Sequence, residues 1–239
     1  KFNPDFSREY FATLLADTKT ELAEEVIEVI FNPEIDNKKV SLDANNDLLL
    51  ASASNFYGPD VTEQEVTDFY AAKADKNNPE PISFGLNSKL VKGENGLEEQ
   101  VWKSGGMYGA AIDQVIGWLE KAVTVSENEA QGNALKLLIE YYQTGDLNTW
   151  DKYNVAWASA TRGDIDYINS FIEVYNDPLG FRGSYETVVQ INDFEASERM
   201  AVVANNAQWF EDNSTIMDDH KKKEVVGVTY KVVEVAGEA

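Results

Sequence analysis

The residues best suited to chemistry lie close together in this sequence. Glu173 and Tyr175 stand two apart in a run of alternating types, Ile165–Tyr175, and Glu186 follows in a second such run, Tyr185–Ile191. Period-two alternation predicts strands. On a strand, Ile168, Ile172 and Val174 point one way, toward a core. Tyr167, Phe171, Glu173 and Tyr175 point the other, with the Cα atoms of Glu173 and Tyr175 roughly 6.5–7 Å apart. A carboxylate beside a phenol offers an acceptor for a cationic group and a neutral donor for an oxygen that gains charge. Asn176-Asp177-Pro178-Leu179-Gly180 ends the first run, because proline cannot donate to a ladder. The return run then brings Glu186 near Glu173. An edge strand with incidental polar residues accounts for the same pattern, and residue types alone do not separate the two.

Other candidates are weaker. Gly105-Gly106-Met107-Tyr108-Gly109 lies between a predicted strand and a predicted helix, where anion loops occur. Gly109 is followed by Ala110 and Ala111 rather than Lys and Ser/Thr, so a tight turn is the simpler reading. His220, the single histidine, precedes Lys221-Lys222-Lys223 in a polar stretch that reads as a solvated turn. A hydrolase built on His220 would need a nucleophile and an orienting acid that sequence does not locate. Asn213-Ser214-Thr215 matches a glycosylation sequon too short to be selective. Glu21, Glu24, Glu25 and Glu28 form an acidic helix face, which cannot wrap one ion as a calcium loop does.

Composition narrows the classes. Lys and Arg number 20 against 42 Asp and Glu, a net charge of −22, spread along the chain rather than gathered in a tail. A field of that sign disfavours nucleic acid and anionic membrane surfaces as partners. With 43% hydrophobic and 11% aromatic residues, the 239-residue chain has the material for a packed core. There is no cysteine and one histidine, so neither a thiolate site nor a two-histidine metal motif can be assembled. No apolar run has the length of a membrane span. Nothing in the composition chooses between a cytoplasmic and a periplasmic location.

The elements that position the candidate residues read as α+β, helix-dominated, with a small antiparallel sheet. Helices are predicted over 6–16, over 19–30 with Thr18 and Glu21 as a capping box, and over 60–74 with Thr62 and Glu65 at its start. Asn32–Asp60 reads as loop with at most a short element at Leu48–Leu50. A hairpin is predicted at Ser83–Val91 and Leu97–Trp102 around Lys92-Gly93-Glu94-Asn95-Gly96. Helices follow over 107–123, 127–142 (with Ser126 and Glu129 as a capping box), 147–158 and 194–210. A β-branched run, Val225–Val235, is the strongest strand signal and stops short of the end. A long apolar strand at a chain end invites pairing, so its partner is expected within the domain or beyond Ala239.

The hairpin segment carries a resemblance. Phe171-Ile172-Glu173-Val174-Tyr175-Asn176-Asp177-Pro178-Leu179-Gly180-Phe181-Arg182-Gly183, then Glu186, resembles the Phe-Ile-Glu-x-Tyr-x-Asp-Pro-x-Gly-x-Arg-Gly-x-x-Glu signature of the dipeptidyl peptidase III family of zinc metallopeptidases. Trp157 stands where that family has a tryptophan. The resemblance extends through Asn78–Lys92, Glu99–Tyr108, Leu135–Trp157 and Trp209–Val235, in the manner of bacterial members. It implies a two-lobed exopeptidase that releases dipeptides from the N-termini of short peptides. By that pattern Tyr175 hydrogen-bonds the scissile carbonyl and stabilises the tetrahedral intermediate. Glu173 holds the substrate's α-ammonium, and Glu186 is a neighbouring acid of the same subsite.

The same pattern has departures. The family's His-Glu-x-x-Gly-His and Glu-Glu-x-Arg-Ala-Asp motifs do not occur here, Ser170 replaces the usual glycine, and Ala160 stands where aspartate is common. The chain is therefore expected to be an internal piece of such an enzyme. Zinc belongs to the parent protein, with no metal ligand expected in this chain and no hydrolysis by it alone. Its expected partners are short peptides with a free N-terminus and the rest of the parent polypeptide. Residues 1–192 would form most of a substrate-binding lobe and residues 193–239 the start of a second. The alternative is a non-catalytic acidic binding module derived from the same fold.

Overall fold

A computed structural model describes residues 3–225 and 231–239. The chain is α+β. Helices α1 (Arg8–Thr18), α2 (Glu24–Phe31) and α3 (Glu63–Lys73) precede a hairpin of β1 (Ser88–Gly93) and β2 (Gly96–Val101). Three helices follow, α4 (Gly109–Thr124), α5 (Glu129–Thr144) and α6 (Leu147–Ser159). A second hairpin, β3 (Ile165–Glu173) and β4 (Ser184–Asn192), leads to α7 (Phe194–Asn205), α8 (Ala207–Asp212) and β5 (Val233–Glu238). The strands form two antiparallel sheets, β1-β2 and β3-β4-β5.

Local chemistry explains most of the element ends. Thr62 and Glu65, expected at the start of this helix, cap α3 reciprocally as a capping box. Two other boxes do not form. Thr18 closes α1 instead of opening α2, whose N-cap is Ala23 with no side-chain bond. Asn128 rather than Ser126 caps α5, its Oδ1 accepting from the Gln131 amide at 3.0 Å. Both are competent caps two residues apart, so sequence spacing does not separate them. The predicted 194–210 helix divides at Asn206 into α7 and α8. The expected strand at Val225–Val235 falls partly on residues 226–230, outside the described set. The strand observed is β5, which pairs with β4 from Val188↔Glu238 to Asn192↔Val233. β5 thus joins the sheet of β3 and β4.

Two apolar clusters hold these elements. Leu138, Tyr141 and Tyr142 of α5, at helical spacing, pack with Trp150 and Tyr153 of α6, Ile112 and Ile116 of α4, Trp102 and Phe171. The second cluster is Leu49, Tyr57, Val61, Val66, Tyr70 and Leu90, covered in part by Leu179 and Phe181 of the β3–β4 turn. The turn between β3 and β4 lies where the clusters meet.

Candidate active site

Strand alternation alone places Glu173 with Phe171 and Tyr175, and the structure corrects that placement. Phe171 is buried, at 7% exposure, against Trp102 with ring centroids 4.7 Å apart, whereas Ile168, read as core, is 36% exposed. The cause is an irregularity in the ladder. Phe171 pairs with Tyr185, but Glu173 pairs with Ser184, so two residues of β3 are spent against one of β4. Such a bulge reverses the facing of the residues after it. Directly paired residues share a face, and Ser184 and Glu186 are alternate residues of β4, so Glu173 lies on the side of Glu186. Glu186 pairs with Ser170, diagonal to Glu173, which sets the two backbones roughly 7–8 Å apart. Both side chains are half-buried. That spacing leaves room for one ammonium group between two carboxylates.

Tyr175 lies beyond the end of β3, in the turn, and is 71% exposed. Its phenol is open to solvent, and its position is set by the turn rather than by a ladder. Asn176 Nδ2 donates to Ser184 Oγ at 2.7 Å, closing the turn next to Tyr175.

The rest of the signature is buried and structural. Asp177, 4% exposed, accepts from the amides of Leu179 (3.1 Å), Phe181 (2.9 Å) and Arg182 (2.9 Å) and from the Tyr57 hydroxyl (2.7 Å). Arg182 is fully buried; its Nη2 donates to Tyr70 Oη at 2.6 Å, and Tyr70 donates to Glu99 Oε1 at 2.7 Å. Ser88 Oγ at 2.8 Å and Lys73 Nζ at 2.5 Å complete the bonds to Glu99. The guanidinium also lies 4.5 Å over the Tyr57 ring and 5.1 Å over that of Tyr70. A buried cation is tolerated only with such partners. Burial works against the charge on Glu99, yet bonds from Lys73, Tyr70 and Ser88 outweigh it and hold the carboxyl below its ordinary range. Burial raises the Tyr57 and Tyr70 phenols well above their ordinary value, so both stay protonated.

Glycines make room for this node. Gly85 has φ +84°, and a Cβ there would lie 2.5 Å from Arg182 Nη1. At Gly183 a Cβ would lie 2.6 Å from the Phe171 carbonyl carbon. Sequence reasoning misses the network partners Tyr57, Tyr70 and Glu99. They come from segments far from the hairpin, and no local motif marks them.

The remaining candidates do not assemble into sites. His220 ends a short 3-10 turn, exposed, and no side-chain hydrogen bond orients its ring among the described residues. Glu24 and Glu28 pair with Arg8 of α1, Glu28 at 2.6 Å, while Glu21 lies before α2 rather than on its face. Trp157 packs against the larger apolar cluster. The residues present do not fit the zinc centre implied by the resemblance. The chain has one histidine and no cysteine, and among the described residues no group of three His, Cys, Asp or Glu side chains could hold a metal ion. The steps assigned to this chain are therefore those of its own side chains. No helix of the described residues is long and apolar enough to cross a membrane.

This chain is similar to known proteins. The profile of Peptidase family M49 matches residues 7–213, which include the whole β3–β4 hairpin. Dipeptidyl peptidase 3 of Mus musculus is 28% identical over 152 residues, 62% of this chain and 20% of that protein. The Homo sapiens protein of that name is 30% identical over 86 residues, 36% of this chain and 12% of that one. The solved structure of DPP III from Caldithrix abyssi superposes with a TM-score of 0.62 at 16% identity, covering 98% of this chain and 44% of the other. That of dipeptidyl-peptidase III from Corallococcus sp. strain EGB gives 0.54 at 15% identity, covering 95% and 43%. These two show a shared fold, and this chain spans less than half the length of either structure. The profile match, which spans most of the chain, establishes that the chain belongs to peptidase family M49.

Proposed function

We propose that this chain supplies the substrate-binding hairpin of a peptidase that releases dipeptides from the N-terminus of oligopeptides. The names of the relatives supply the reaction, and the hairpin supplies parts suited to it. Glu173 and Glu186 receive the substrate's α-ammonium, and Tyr175 donates its phenolic proton to the scissile carbonyl oxygen as that oxygen gains charge. Zinc and its ligands belong to residues outside this chain, which is also where the rest of the catalytic machinery lies.

The observation that carries this reading is the bulge between Phe171 and Glu173. It turns Glu173 onto the side of Glu186 and leaves Tyr175 exposed at the adjoining turn. Calorimetric titration of the chain with a tetrapeptide and its Nα-acetylated form tests it. The free amine is expected to bind more tightly by about tenfold or more, as a charge-assisted bond of about 1.5–3 kcal/mol requires. Glu173→Gln should abolish that difference. Equal binding of both forms by the unaltered chain would overturn the ammonium assignment.

A further inference from the structure

Tyr175 has little of its own to hold it in place. Among the described residues no hydrogen bond or ring contact involves its side chain, so the reach of the phenol is set by where its backbone stands. The β3 ladder ends before it, at Glu173. Tyr175 and Asn176 are the two central residues of a tight turn, closed by the Asp177 amide donating to the Val174 carbonyl at 3.0 Å. Glu173 is fixed in the ladder on one side of this corner, and Asp177 is fixed in the interior on the other.

The corner itself has one tie to the rest of the molecule, the bond from Asn176 Nδ2 to Ser184 Oγ at 2.7 Å. Asparagine in a turn ordinarily bonds the backbone of that turn. Here the side chain leaves the turn and bonds a residue eight positions on, at the start of β4. Ser184 is also the residue paired with Glu173. A single bond therefore joins the neighbour of the phenol to the neighbour of a carboxylate. Both partners are only half-buried, so water can replace either one, and the fold gains little from their meeting. What the bond adds is a fixed geometry between Tyr175 and Glu173.

We propose that Asn176 is a positioning residue: through Ser184 it sets the distance from the Tyr175 phenol to the Glu173 carboxylate. A peptide held by its amine then presents its scissile carbonyl where the phenol can donate to it. The inference rests on the reading of Tyr175 as that donor, and its test separates the two. Tetra-alanine hydrolysis is followed in the intact enzyme and in its Asn176→Ala, Ser184→Ala, Ser184→Thr, Tyr175→Phe and Asn176→Ala/Tyr175→Phe variants, each checked to be folded. Asn176→Ala and Ser184→Ala should each lower kcat about tenfold, within the range for a donor displaced by about 1 Å. KM should stay within about twofold, because the amine is still held. Ser184→Thr keeps the hydroxyl and should keep the rate. With the phenol already removed, Asn176→Ala should lower kcat no further. If Tyr175→Phe lowers kcat and Asn176→Ala does not, the positioning inference falls and the donor reading stands. If Tyr175→Phe leaves kcat unchanged, the donor reading falls and takes the inference with it. A loss from Asn176→Ala that persists without the phenol, or that Ser184→Ala does not reproduce, would show that Asn176 acts by another route and would overturn the inference.

Discussion

The two halves of the β3–β4 turn differ in what they touch. From Asp177 to Gly183 the chain is fastened to the interior: Asp177 and Arg182 are 4% and 0% exposed and bond to groups from α3 and the segment around Tyr57. From Glu173 to Tyr175 the side chains are more open to solvent, with Tyr175 at 71% exposure. One signature therefore encodes a buried scaffold and an exposed edge. The buried half fixes a turn that has no ladder of its own, and the exposed half is left free to meet a ligand. Within such a motif, burial separates the residues that hold the site from those that use it.

This contrast can be broken at its buried end first. Asp177→Ala leaves three amides and the Tyr57 hydroxyl without their acceptor, and urea unfolding should show a loss of at least about 3 kcal/mol. A loss under about 1 kcal/mol would mean that the node is not what fastens the turn. Gly85→Ala should cost less, about 1–3 kcal/mol, because it sets a Cβ against the guanidinium and requires an alanine at φ +84°; a neutral result would show that Arg182 can move aside.

A smaller effect appears with pH. Glu65 in α3 is held at about 2, below an ordinary 4.5, chiefly by the Thr62 amide, then by Lys92 and the Thr62 hydroxyl. Its folded value is depressed, so its stabilisation is complete above 4.5 and is lost as pH falls toward 2. Glu99 contributes in the same direction. Acid titrations of stability should therefore slope downward through this range, and Glu65→Gln should flatten part of the slope. An unchanged slope would remove α3, which carries Tyr70, from the acid-sensitive support of the turn.

Much of this is legible in the sequence where the signal is local. The hairpin glycines, the Thr62–Glu65 box and the Asn-Asp-Pro turn name their own structures, and the signature singles out the three proposed site residues. The illegible part depends on distance or on parity. Tyr57 and Asp177 are 120 positions apart and Tyr70 and Arg182 are 112 apart, so neither bond has a spacing to recognise. One extra residue at the bulge breaks the alternation along β3, which is why period two places Phe171 outward when it is in fact buried.

Tyr175→Phe in the intact enzyme tests the division most directly, because it should register at one end and not the other. The account predicts an unfolding free energy within about 0.5 kcal/mol of the unaltered protein, as for an exposed residue. It also predicts a kcat lowered by about 10²–10³-fold with KM little changed, the effect of losing a donor that acts in the transition state. An unchanged kcat, or a large loss of stability, would contradict it.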